Sequence, residues 1–131
     1  MTENEVAKQI VDVAFKIHTT FRPGLLESVY ETIMAYELQK RGLRVLRQQA
    51  IPVVYESVRM DLGFRADLII ENRVVIEIKS VEAIAPVHKK QLLTYLRLTD
   101  KRLGLLINFN VELIKNGITR VVNGLLEEFS R

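Results

Sequence analysis

Two short apolar runs, Phe64–Ile70 and Val74–Lys79, flank Glu71-Asn72-Arg73, and that spacing constrains the fold more than any other feature of the chain. Runs of this length, rich in Val and Ile and split by a polar break, read as a β-hairpin. A hairpin centred on Asn72 sets Asp67 opposite Glu77. Strand side chains alternate between faces, so Asp67, Glu77 and Lys79 share one face while Leu68, Ile70, Ile76 and Ile78 fill the other. Facing residues have Cβ atoms ~5 Å apart, where like charges are destabilising. Two carboxylates opposed among apolar residues point to a shared proton or a shared cation.

The hairpin sits inside an α/β arrangement. Thr2 and Glu5 have capping-box spacing, and Val6, Ile10, Val13, Ala14, Ile17 and Phe21 recur at helical intervals, which predicts a first helix over 3–19. Arg22-Pro23-Gly24 breaks it, and a second helix is expected over 25–41 with Gly42 as its stop. Leu43–Arg47 and Ile51–Tyr55 read as two strands leading into the hairpin, the second beginning at a sheet edge because Pro52 cannot donate to a ladder. Pro86 opens a third helix, about 87–99. Leu103–Phe109 is apolar throughout, as in a strand covered on both faces, and Ile118–Val122 follows an Asn116-Gly117 turn. The order gives a mixed α+β sheet with helices packed on it, in one domain over 1–131.

With 131 residues and 48% hydrophobic content the chain can fill one core. Cysteine is absent, which excludes disulfides, thiolate metal sites and cysteine nucleophiles. His18 and His88 are the only histidines, so a multi-histidine centre is excluded as well. No apolar run approaches the ~18–20 residues that span a bilayer, and the acidic start is unlike a signal peptide; the expectation is a soluble, cytoplasmic protein. The net charge of +3 permits a polyanionic partner without requiring one. No Gly-rich phosphate loop, P-loop or nucleophile elbow occurs.

Four groups of residues can carry chemistry. Asp67 and Glu77 suit a hard cation, and Lys79 on the same face can polarise water or offset charge on a phosphate; the same three residues also suit the wet face of a half-exposed sheet. Glu27 and Tyr30 lie one turn apart on the second helix, where Glu27 either adds a third carboxylate or complements the helix dipole, and Tyr30 either orients it, meets substrate or fills the core. His88, Gln91 and Tyr95 form a polar stripe on the third helix beside apolar Leu92, Leu93 and Leu96, either lining a cleft or bordering the buried face. Lys90, Arg97 and Lys101 fall on one side of that helix and can track a phosphate backbone, or form an ordinary solvated face.

Asp67…Glu77-Ile78-Lys79 after an acid-bearing helix, then Gln91-x-x-x-Tyr95 on a later helix, resembles the PD-(D/E)XK nuclease superfamily. The segments Gly24-x-x-Glu27-x-x-Tyr30, Gly63-Phe64-Arg65-Ala66-Asp67, Pro86-Val87-His88 and Leu103–Phe109 are similar to its small GxxExxY family. The resemblance implies a restriction-endonuclease-like core and a metal-dependent nuclease acting on DNA. Asp67, Glu77 and the Ile78 carbonyl would hold Mg²⁺, or Mn²⁺ in its place, with Glu27 completing or positioning that set. Lys79 would assist the nucleophile, and Gln91 and Tyr95 would line the site. Ala66 stands where the superfamily name has Pro. A non-catalytic nucleic-acid-binding or assembly module on the same fold is the alternative, and substrate specificity would come from substrate shape, a partner or a homodimer.

Overall fold

The computed structural model describes residues 1–125; residues 126–131 of the expected domain lie outside them. Helices α1 (Glu3–Phe21) and α2 (Glu27–Lys40) precede strands β1 (Val45–Tyr55), β2 (Val58–Ile70) and β3 (Val74–Lys79). Helix α3 (Pro86–Thr99), strand β4 (Leu103–Asn108), a 3-10 turn over Ile114–Gly117 and strand β5 (Ile118–Val122) complete the described elements. The described strands form one sheet in the order β1-β2-β3-β4-β5. Among the described strands only β3 and β4 pair in parallel, joined by the crossover through α3; the other described neighbours are antiparallel.

The expected elements form for the reasons their sequences suggest. Thr2 and Glu5 make the reciprocal cap of α1, with Glu5 Oε1 accepting from the Thr2 N–H at 3.0 Å and Thr2 Oγ1 from the Glu5 N–H at 3.1 Å. Every residue of β4 is buried, because its parallel pairing to β3 places it under helices on both sides. On one face, Val6, Ile10, Ile17, Tyr30, Met34 and Leu38 pack on Leu68, Ile70, Ile76 and Ile78. On the other, Leu92, Tyr95 and Leu96 of α3 pack on Ile51, Ile69, Val75 and Leu106. The result is three layers: α1 and α2, the sheet, then α3.

Some boundaries differ from expectation. Leu43–Arg47 and Ile51–Tyr55 are not separate strands; one strand runs through, because the pairing on either side of Gln48 keeps a single register with β2. This strand is the sheet edge, and Pro52 falls at its shift in register between Ile51 and Val53. The expected turn at Asn116-Gly117 forms as the end of the 3-10 turn that precedes β5. Lys101 does not continue the Lys90–Arg97 side of α3, since Asp100 adopts a left-handed conformation and ends the helix. No described helix is long and apolar enough to cross a membrane.

Gly104 sets how closely α3 approaches the sheet. A Cβ at this position would lie 2.8–3.0 Å from three carbons of the Leu92 side chain, which is fully buried. Gly104→Ala should therefore lower stability by about 1–3 kcal/mol through overpacking. The measurement is a urea titration, where a reduced midpoint at unchanged slope is expected; an unchanged midpoint would show that the layer has slack.

Candidate active site

The β2–β3 ladder pairs Ile70 with Val74, Ile69 with Val75 and Leu68 with Ile76. That is the register of a hairpin centred on Asn72, and its next row sets Asp67 beside Glu77. Backbone pairing stops there, so the expected ladder pair is replaced by side-chain contacts. The Asp67 N–H donates to Glu77 Oε1 at 3.3 Å, and the Ile78 N–H donates to Asp67 Oδ2 at 2.8 Å. The ladder on the other side of β2 is interrupted in the same row, between the pairs Arg47–Leu68 and Gln49–Ala66. There Gln48 Nε2 donates to Asp67 Oδ1 at 3.2 Å. Gln48, Asp67 and Glu77 thus form a row across three strands joined through their side chains. A strand residue points its N–H and C=O the same way, so the Ile78 carbonyl faces this opening; the Lys79 carbonyl faces β4 and accepts from the Phe109 N–H at 2.9 Å.

Burial makes the row electrostatically costly. Glu77 is only 8% exposed. Its carboxyl is pushed up to about 8, first by burial and then by the Asp67 charge, against a downward pull from Lys79. Burial likewise raises Asp67, and the negative charge of Glu31 adds to the effect. Lys79 is half-buried beside the two acids.

Helix α2 approaches differently from the sequence-based expectation. It packs on the Leu68/Ile76/Ile78 face, whereas pleat alternation puts Glu77 on the α3 face. Glu27 therefore does not lie over the acidic pair. It reaches the end of β3 instead, where Glu27 Oε2 accepts from the Ser80 N–H at 3.0 Å and Ser80 Oγ donates to the Leu25 carbonyl at 2.9 Å. A depression of about 380 Å³ lined by Leu25, Leu26, Glu27, Ser28 and Ser80 opens at this point. Tyr30 is fully buried and stacked on Phe109, with ring centroids 4.3 Å apart. Its hydroxyl donates to the Arg22 carbonyl at 2.6 Å and accepts from the Leu25 N–H at 3.2 Å, so it holds the turn that carries Glu27.

The acid of α2 nearest the row is Glu31, which the sequence motifs do not single out. It is buried and held by Arg47 through Nε at 3.3 Å and Nη2 at 3.0 Å. Gln48 Nε2 donates to Glu31 Oε1 at 2.6 Å as well as to Asp67, so one amide bridges the two acids. A signal for Glu31 existed: it lies four residues after Glu27 and shares its helix face with Ala35 and Leu38. Asn108 was also missed. Its side chain accepts from the Val81 and Asn110 N–H groups at 3.1 Å each and donates to the Val81 carbonyl at 2.9 Å, tying the segment after β3 to the segment after β4.

On α3, Tyr95 faces the acidic row. Burial raises its hydroxyl, with the charges of Glu77 and then Asp67 adding, and its ring meets Phe64 edge-on at 5.3 Å. Gln91 is exposed. His88 turns back to cap the helix, its Nδ1 accepting from the Ala85 N–H at 3.1 Å. Lys90 and Arg97 are exposed, and Lys101 is half-buried beyond the helix end.

Among the described residues no three His, Asp or Glu side chains gather closely enough to form a protein-only metal cage. Mg²⁺ does not require one, since one or two carboxylates plus waters and substrate oxygens complete its shell. Asp67, Glu77 and the Ile78 carbonyl offer oxygen donors alone, which fits a hard cation.

The carboxyl of Glu77 gives a measurable consequence. Because its folded value lies near 8 and its ordinary value near 4.5, the folded protein binds this proton more tightly than the unfolded chain does. The stabilisation is complete below the ordinary value and is lost as pH rises towards 8 and beyond. In EDTA, wild type should lose stability between pH 5 and 8 relative to Glu77→Gln, by an amount on the order of a few kcal/mol. Urea midpoints for the two proteins at pH 5, 6.5 and 8 check this, and parallel curves would show that Glu77 ionises freely.

The family model described as the PD-(D/E)XK nuclease superfamily matches residues 4–121. No curated protein and no solved structure matches the chain. The family match runs from α1 into β5 and includes the whole row from Gln48 to Glu77, with Lys79 two residues on. The chain's order of helices, three-strand meander, crossover helix and parallel strand lies within the matched residues. The chain is a member of the PD-(D/E)XK nuclease superfamily.

Proposed function

We propose that the protein is a Mg²⁺-dependent nuclease that hydrolyses phosphodiester bonds in DNA, of the GxxExxY branch of its superfamily. The observation that carries this reading is the opened row at Asp67. A sheet that ends one ladder and interrupts the other at the row of a single residue, and buries a second acid beside it, supports a site built on those carboxylates. Asp67, Glu77 and the Ile78 carbonyl hold the cation, and Mn²⁺ can replace Mg²⁺. When bound, the metal supplies a Lewis acid for a phosphate oxygen and lowers the pKa of its water.

The remaining work falls to the chain. Lys79, next to the two acids, places an ammonium where negative charge grows on the phosphate and where the attacking water must be steadied. Glu27 fixes the Ser80 N–H one residue beyond Lys79 and so holds the end of β3. Tyr30 secures the Glu27 turn from the core. Tyr95 closes the α3 side, with Gln91 at its outer margin and His88 fixing the start of the helix. Lys90 and Arg97, with Lys101 beyond them, supply positive charge to a phosphate backbone.

A substrate panel tests the reading: single-stranded, duplex, nicked, flapped and branched DNA, and RNA, each with Mg²⁺ and with Mn²⁺. Cleavage should need metal and be lost in Asp67→Ala and Glu77→Ala. Lys79→Ala should reduce turnover by about 10²–10³-fold while leaving Mn²⁺ binding intact, because Lys is not a ligand. Lys79→Arg should not restore it, since a planar guanidinium does not replace a compact ammonium. Binding without cleavage across the panel would leave a nucleic-acid-binding module.

The basic residues make a separate prediction. Lys90→Ala and Arg97→Ala should weaken DNA binding uniformly across sequences and lower the slope of log affinity against log salt by ~1 for each phosphate no longer neutralised. Fluorescence anisotropy in EDTA between about 50 and 200 mM salt reads this slope. An unchanged slope would place the backbone path elsewhere.

A further inference from the structure

Six residues other than glycine have positive φ among those described. Arg22 and Asp100 end helices, Glu56 joins β1 to β2, and Glu71 and Asn72 form the turn between β2 and β3. Gln48, at φ 49°, is the exception, because it lies inside a strand. Side chains with a Cβ avoid this region, and glycine fills it without penalty. Nor does burial hold Gln48 there, since it is exposed. A strained, exposed strand residue with a long side chain implies that the side chain is needed where the strain puts it.

That place is between two acids. Gln48 Nε2 lies 2.6 Å from Glu31 Oε1 and 3.2 Å from Asp67 Oδ1, so one neutral amide gives a hydrogen to each carboxylate. The far side of Glu31 is held by Arg47, the second oxygen of Asp67 by the Ile78 N–H, and the Gln48 carbonyl by Arg65 Nη1 at 3.2 Å. Both Asp67 oxygens are thereby fixed before any cation arrives. We infer that Gln48 is a positioning residue of the nuclease site: its left-handed backbone aims an amide that locks the Asp67 carboxylate against Glu31 and presets it for metal. The inference rests on the nuclease reading for its purpose. Its geometry stands apart from that reading.

Two substitutions separate backbone from side chain. Gln48→Gly suits the φ but has no amide. Gln48→Asn also tolerates the left-handed region and keeps an amide, on a stem one methylene too short to span both acids. Both variants should fold, with melting temperatures at or near the wild-type value. Both should bind Mn²⁺ about 10- to 100-fold more weakly, the usual effect of removing the partner of a metal-binding group. With DNA, kcat should fall while KM is little changed, because Gln48 does not touch the substrate. Wild-type Mn²⁺ affinity and kcat in both variants would overturn the inference and leave Gln48 a structural oddity. If wild type neither binds Mn²⁺ nor cleaves DNA, the nuclease reading is what fails. The positioning is then read in metal-free protein from the Asp67 carboxyl ¹³C resonance: a shift in Gln48→Gly supports the lock, and an unmoved resonance overturns it.

Discussion

Carboxylates placed side by side in a half-buried sheet need hydrogen-bond donors, and here the sheet supplies them by giving up its own ladder. At the row of Gln48, Asp67 and Glu77, the peptide N–H groups of Asp67 and Ile78 turn from strand pairing to the two acids. Bonds to an ionised carboxylate are roughly twice as strong as neutral ones. They do not fully offset burial, which is why Glu77 remains displaced to about 8. The site is satisfied enough to hold its shape and still short of positive charge, the condition in which a cation gains most from binding.

The architecture keeps that opening in place from three directions. Beneath it, the β2–β3 and β3–β4 ladders continue without a break in register, so the row opens at the end of a rigid block. Beyond it, Asn108 ties Val81 to Asn110, fixing where the chain leaves β3 and β4. From the α1 side, buried His18 places Nε2 2.7 Å from the Val111 carbonyl and anchors the same end of the sheet. Gly104 lets α3 settle close enough for Tyr95 to close over the acids. A site held within ~0.5 Å needs support of this kind, from elements rather than loops.

Register is readable from the sequence because period-2 alternation and a single polar break leave one solution: any slip about Asn72 would expose Leu68, Ile70, Ile76 and Ile78. The burial of β4 is readable from an unbroken apolar run. The end of α3 at Thr99 falls where it is expected, but the left-handed Asp100 beyond it, which no neighbouring residue announces, takes Lys101 off the Lys90–Arg97 side. Gln48 is invisible for the same reason, since nothing in Arg47-Gln48-Gln49 marks a positive φ. The side of the sheet taken by α2 is a tertiary choice. Tyr30, Met34 and Leu38 are buried against the Leu68/Ile76/Ile78 face, which helical spacing does not specify, and so the sequence alone leads to Glu27 over Glu77 where the pleat keeps them apart.

That separation changes what helix α2 contributes. Glu27 and Glu31 are four residues apart, about 6 Å along the helix axis, and each serves a different strand: Glu27 holds Ser80 past the end of β3, while Glu31 meets Asp67 through Gln48. A rigid helical turn therefore spans the acidic row from its strand end to its edge, without either acid entering the α3 face. Had α2 brought a third carboxylate directly against Asp67 and Glu77, repulsion in a site already lacking positive charge would have raised all three further. Placing a neutral amide between Glu31 and Asp67 gives the helix a grip on Asp67 through hydrogen bonds instead of bare charge. The backbone strain this requires is about 1–3 kcal/mol, comparable to a single charge-assisted hydrogen bond at about 1.5–3 kcal/mol. The two bonds donated by Gln48 are enough to sustain it, and its confinement to one edge-strand residue leaves the ladder on either side intact.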